Sequence, residues 1–146
     1  MSPTILVPNG KILVLPRRLA QDFTHNAPWA CISIHDSEDP PAKINKCQLV
    51  DKLVLSFDDI PWQDDVLVPF NEVHANQVLD FVYKFWDKIE LLLIHCYAGA
   101  SRSPAIAAIV SKIYYGEDHY YFKNYTPNNL VYQVLYKTAV KRGWEP

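Results

Sequence analysis

This 146-residue chain is poor in the features that would place it in several common classes. It has three cysteines, Cys31, Cys47 and Cys96, an odd and scattered set that fits neither a disulfide framework nor a zinc cluster. Reduced thiols are the expectation, and no metal or organic cofactor is implied. Net charge is −2 with histidine neutral, so no broad basic field draws the protein to nucleic acid or to an anionic membrane. No apolar run approaches the roughly 20 residues that span a bilayer. The start, "MSPTILVPNGKILVLP", lacks a charged segment followed by a long apolar stretch, so no signal peptide is expected and the cytoplasm is the expected location. Repeats, low-complexity tracts and linker-like stretches are missing too. What remains is 49% apolar and 21% charged residues, the balance of one globular domain over residues 1–146.

The N-terminal part reads as strands. "TILVP" and "KILVLP" flank Asn9-Gly10, a pair that favours the positive φ values of a tight hairpin turn. "WACISIHD" and "QLVDKLVLSF" are β-branched-rich strand candidates, with "DSEDPPAK" as the loop between them. The second half is more helical. Val78, Val82, Phe85 and Ile89 recur at helical spacing behind Asn71, a candidate N-cap. A strand at 91–95 leads through a short loop to a helix that begins near Arg102 or Ser103 and ends at Gly116. Thr126-Pro127 reads as the N-cap and first residue of a last helix. Strands interleaved with helices predict an α/β domain, a central mixed or parallel sheet flanked by helices.

The loop "HCYAGASRS" joins that strand to its helix. Five residues, Tyr97, Ala98, Gly99, Ala100 and Ser101, separate Cys96 from Arg102. A loop of this length can curl until its N–H groups converge on one centre, where a helix N-terminus adds donors and partial positive charge. Gly99 allows the positive φ such a curl uses. Arg102 offers a planar fork for two oxygens of a tetrahedral dianion. The same field favours thiolate over thiol at Cys96, so one geometry both captures a phosphoryl group and activates a sulfur to attack it.

"HCYAGASRS" fits the His-Cys-x5-Arg-Ser/Thr signature, and the chain from "ISIHD" to the last helix resembles the cysteine-dependent protein phosphatases. The neighbouring segments look like the compact dual-specificity and tyrosine phosphatase branch of that family, particularly its small microbial members. The resemblance implies that Cys96 is the nucleophile, Arg102 the phosphate clamp, and Ser103 the hydroxyl that assists thiolate departure. It implies that residues 97–102 form the phosphate-binding loop and that His95 orients this loop by hydrogen bonds.

Transfer of phosphorus to sulfur is easier when the leaving oxygen receives a proton, which calls for a carboxylic acid nearby. "LSFDDIPWQDDVL" supplies Asp58, Asp59, Asp64 and Asp65. Phe57-Asp58-Asp59 matches the aromatic–acidic–acid order of several members of the resembled family, which puts Asp59 first and Asp58 second. Adjacent carboxylates also oppose each other's ionisation, which helps keep one protonated. Trp62 either flanks the substrate or anchors this loop.

The remaining histidines, His25, His35, His74 and His119, have no metal-ligand spacing, and the tyrosines after the loop helix read as packing. Cys31 or Cys47 could protect an oxidised Cys96 by disulfide formation if one lay close. Four readings compete. A phosphatase for phosphoinositide or RNA 5′-triphosphate would want basic side chains within 97–101, where there are none. A phosphate-binding pseudophosphatase module would lack a required side chain, and none is missing. A sulfurtransferase would need neither Ser103 nor an acid. The expectation is therefore a phosphotyrosine phosphatase, with phosphoserine or phosphothreonine as further substrates, acting on a phosphorylated protein or peptide. The sequence leaves the oligomeric state open.

Overall fold

All six residues of Leu91–Cys96 are buried, as happens when a strand is covered on both faces. The computed structural model describes residues 8–60 and 66–146. Four strands form the sheet: Ile12–Pro16 (β1), Trp29–His35 (β2), Leu49–Ser56 (β3) and Leu91–Cys96 (β4). Their order is β1-β4-β2-β3 and every pairing is parallel, so the mixed alternative does not apply to the described residues. The helices are Arg17–Gln21 (α1), Glu72–Phe85 (α2), Arg102–Tyr115 (α3), His119–Asn124 (α4) and Asn129–Lys141 (α5), with a 3-10 turn at Trp86–Lys88.

Side chains alternate across the sheet and sort the core into two layers. Val14, Ile32, Ile34, Leu92, Ile94 and Cys96 pack with residues of α2, α3 and α5. Leu13, Leu15, Trp29, Cys31 and Leu93 face the other way, against Ala20 of α1 and the Ala42–Ile44 segment. Cys31 and Cys96 thus sit on opposite faces. Cys31 pairs with Leu93, three residues before Cys96, which puts the two Cα atoms about 10 Å apart or more, beyond disulfide reach. Cys47 precedes β3 at the other end of the sheet, where its carbonyl accepts from the Trp29 indole. Neither thiol is placed to protect Cys96.

The helix ends follow local chemistry. Asn71 caps α2, accepting from Val73 and His74 N–H, while His74 Nδ1 accepts from Asn71 N–H. Gly116, with φ +83°, closes α3 in the left-handed conformation. The start of α5 needs correction. Its cap is Asn128, whose side chain accepts from Val131 N–H, and not Thr126-Pro127; asparagine is the stronger capping acceptor, and it simply lies two residues further on. The Asn9-Gly10 turn forms, with reciprocal bonds between Asn9 and Ile12. The strand that follows pairs with β4 in parallel, and most of "TILVP" lies outside the described residues. Among the described residues no helix is long and apolar enough to cross a membrane.

Candidate active site

The sheet order puts β4 between β1 and β2, and the 97–101 loop leaves its C-terminal end. Three of the loop's carbonyls are held from outside. Tyr97 O accepts from Arg17 N–H (3.0 Å), Ala100 O from Thr126 N–H (3.0 Å) and Ser101 O from Asn128 N–H (2.9 Å). In a trans peptide the N–H points opposite to the C=O. Fixing these carbonyls outward therefore turns the N–H groups of Ala98, Ser101 and Arg102 inward. Gly99 has φ +67°, and a Cβ there would lie 2.6 Å from Pro16 N and 2.8 Å from Leu15 C. Only glycine lets the loop lie against β1, and Pro16 brings no N–H that would need a partner there.

Cys96 is buried at the head of this loop. Its Sγ lies 3.1 Å from Ser103 Oγ and accepts from Gly99 N–H at 3.3 Å. The α3 N-terminus has no side-chain cap, because Ser101 in the capping position sends its hydroxyl to Asp59 Oδ1 instead (2.9 Å). The first N–H groups of a 14-residue helix are thereby left for an anion.

Arg102 is 4% exposed. One end of its fork is occupied: Nη1 donates to Asp36 Oδ1 (2.5 Å) and to Phe57 O (2.9 Å). Its Nε is buried with no partner among the described residues. Native interiors rarely leave such a donor unpaired, and the cost is steeper for a charged group. The open Nε–Nη2 edge is the one that takes two oxygens of a tetrahedral anion side by side.

His95 is fully buried, with Nε2 2.6 Å from Ser33 Oγ and Nδ1 3.3 Å from Cys96 O. Burial above all, offset in part by the Cys96 carbonyl and reinforced by the Arg17 and Arg102 charges, lowers its pKa to about 4. The ring is neutral near pH 7. A neutral ring that donates from Nδ1 to Cys96 O accepts the Ser33 hydroxyl at Nε2. This hydrogen-bonded ring ties the end of β4 to β2.

The two adjacent aspartates have different surroundings. Asp58 accepts from Ser37 N–H (3.0 Å), Ser37 Oγ (2.7 Å) and Val68 N–H (2.8 Å). Burial pushes its carboxyl up, but these hydrogen bonds and the Arg102 charge outweigh that and hold it below the usual carboxylate value. Asp58, the second choice for the acid, is thus ionised and ties Ser37 to Val68. Asp59 is exposed and reaches across to the 97–101 loop, accepting from Ser101 Oγ and from Asn128 Nδ2 (2.8 Å). Trp62, Asp64 and Asp65 lie outside the described residues.

Cys96, Arg102, Ser103 and Asp59 therefore converge on one loop. Sequence reasoning missed Asp36 and Asn128. Asp36 directly follows β2, in the strand-end position where charged groups of parallel sheets gather. Asn128 donates from one amide to both Asp59 Oδ1 and Ile60 O (3.1 Å) while capping α5. The Asn-Asn pair after Pro127 was the available signal for it.

No family model matches the chain, and no curated protein matches it in sequence. Solved structures do. Human tyrosine phosphatase-like serine/threonine/tyrosine-interacting protein is 20% identical with a TM-score of 0.63, covering 91% of this chain and 94% of that one. Human DUSP28 gives 14% identity and a TM-score of 0.64 over 91% and 94% of the two chains. PTPMT1 in complex with PI(5)P gives 18% and 0.57 over 91% and 92%. At these identities it is the fold that is shared, and the fold of this chain is that of the dual-specificity phosphatases.

Proposed function

We propose that the chain is a cysteine-dependent phosphatase that hydrolyses phosphotyrosine, and also phosphoserine or phosphothreonine, in proteins or peptides. The observation that carries this reading is the buried Nε of Arg102, unpartnered among the described residues, beside a thiol at the head of a loop with inward N–H groups. The phosphoryl oxygens are the partner that the open guanidinium edge lacks. The Cys96 thiolate attacks phosphorus in line, forming an S–P bond as the P–O bond to the substrate side chain breaks. Arg102 and the loop N–H groups hold the equatorial oxygens. Asp59 gives its proton to the departing oxygen, then takes one from the water that cleaves the S–P bond. Ser103, 3.1 Å from Sγ, donates to the sulfur as it leaves with its negative charge. Residues 97–101 carry no basic side chain for further phosphates, which supports protein over polyphosphorylated substrates.

The direct test is rapid quench during turnover of a phosphotyrosine peptide, with mass spectrometry of the digested protein. A phosphoryl group on Cys96 is expected; its absence during rapid turnover would sink the covalent route. Phosphotyrosine, phosphothreonine and phosphoinositide substrates assayed side by side rank the substrate classes.

A further inference from the structure

A depression of about 390 Å³ adjoins the catalytic loop, lined by Pro16, Arg17, Arg18, Gln21 and Tyr97. Its place is fixed by register: Pro16 stands opposite Cys96 across β1 and β4, neighbouring strands being about 4.8 Å apart. The two arginines thus follow directly from the residue beside the nucleophile. Arg17 is tied to the loop through its backbone, which donates to Tyr97 O, and its Nη1 is anchored on Pro40 O at 2.8 Å.

The chain has four arginines, and their partners differ. Arg102 pairs with Asp36 and Arg142 with Asp80, whereas Arg17 and Arg18 meet no carboxylate within ion-pair distance among the described residues. Two guanidinium groups with no ion pair among the described residues thus stand beside the loop, with Glu38 and Asp39 just before the Pro40 carbonyl that holds Arg17. Guanidinium groups left without an ion pair are free to meet a second anion on the same substrate. Tyr97, 62% exposed, forms the wall between the two sites.

We propose that Arg17 and Arg18 form a second substrate-binding site for an anionic side chain, a carboxylate or a second phosphate, that flanks the phosphorylated residue of a peptide. The proposal rests on the phosphatase reading and deepens it by naming the preferred substrate. The wall of proline ring, glutamine amide and tyrosine ring suits an extended peptide, and extended residues advance by about 3.3–3.6 Å. A side chain one to three residues from the phosphotyrosine thus stands about 3–11 Å further along the peptide.

The test compares kcat/KM for para-nitrophenyl phosphate, for a short-chain phosphoinositide and for matched phosphotyrosine peptides. Their flanks are neutral, glutamate-rich, doubly phosphorylated or lysine-rich. Wild type, Arg17→Ala, Arg18→Ala, the double variant and Arg18→Glu are assayed at low and high salt. The wild type is expected to favour the acidic and doubly phosphorylated peptides over the neutral one by about five- to tenfold, the order expected for partly exposed charge-assisted hydrogen bonds. The double variant loses that ratio, Arg18→Glu shifts it toward the lysine-rich peptide, and salt weakens it. A gain for only one of the two anionic peptides tells which anion the site takes. A ratio near one in the wild type, or one that survives the double variant, overturns the proposal while aryl phosphate turnover still upholds the phosphatase. Loss confined to a short-chain phosphoinositide overturns it in favour of a lipid headgroup. Absence of turnover on every ester overturns the phosphatase reading and this proposal with it.

Discussion

Three carbonyls of residues 97–101 are held by backbone N–H groups, whereas Asp59 is held by side chains that come from 42 and 69 positions away. The first arrangement depends on chain path, and within the loop Gly99 is the residue whose identity that path restricts. The second depends on which side chains occupy Ser101 and Asn128. On the proposed mechanism the backbone-held half would carry the chemistry of phosphorus and the side-chain-held half would govern the proton.

That contrast predicts that variants in the loop abolish turnover, while variants on the acid side change its dependence on pH and leaving group. Cys96→Ser is expected to have the largest effect, a loss of turnover on the order of a thousandfold or more, with the melting temperature close to wild type. A variant retaining activity within tenfold of wild type would place the nucleophile elsewhere.

Asp59→Asn comes next, with a loss on the order of 10²- to 10⁴-fold for a phosphotyrosine peptide. The loss is smaller for an aryl phosphate with an acidic phenol, and the basic limb of the pH–rate profile flattens. Asp58→Asn, Asp64→Asn and Asp65→Asn serve as comparisons in the same two assays. If Asp58→Asn shows the leaving-group dependence instead, the register is off by one; if only Asp65→Asn shows it, the acid lies later in the chain.

Arg102→Lys follows, at about 2–4 kcal/mol of lost transition-state stabilisation, because an ammonium replaces a planar fork. An unchanged kcat/KM would mean that the open guanidinium edge does not meet phosphate.

How much of this was written in the sequence follows the same division. Cys96 through Ser103 are contiguous, so their spacing alone brings thiol, glycine, guanidinium and helix start together. The sheet was legible because apolar residues run almost unbroken through β1, β2 and β4. Asp36 and Asn128 were not legible in their roles. Their partners lie 66 and 69 residues distant, and an ordinary strand-end aspartate or helix cap looks the same in sequence. The opposite fates of Asp58 and Asp59 also depend on long-range partners, Ser37 and Val68 against Ser101 and Asn128.

Acid sensitivity separates two buried supports. His95 titrates at about 4 in the fold against an ordinary value of 6.5, so between those values the unfolded chain binds a proton that the native one refuses. Stability therefore rises with pH across that window, by up to about 3 kcal/mol. Asp58, with its value lowered, stabilises the fold above the ordinary carboxylate range, and that contribution fades as pH falls through its own value. Denaturant titrations at successive pH values check both. His95→Asn is expected to remove most of the slope between pH 4 and 6.5, and an unchanged slope would mean that other groups cause it.

The smallest effect expected is at Asn128, and it decides whether the side-chain-held half is tuned as described. Asn128→Ala removes both the α5 cap and the donor to Asp59, so it costs about 1 kcal/mol of stability along with activity. Asn128→Asp separates the two functions, since a carboxylate still accepts from Val131 N–H but cannot donate to Asp59. It also sets a negative charge beside Asp59, which opposes ionisation of the acid and moves the basic limb of the pH–rate profile upward. A slightly misplaced acid slows the phosphotyrosine peptide by about tenfold and affects the activated aryl phosphate less, because that leaving group needs little help. The measurements are the ratio of kcat between the two substrates and the position of the basic limb, read beside the melting temperature. Equal losses on both substrates, with no movement of the limb, would show that Asn128 only caps the helix and that Ser101 alone holds Asp59 to the loop.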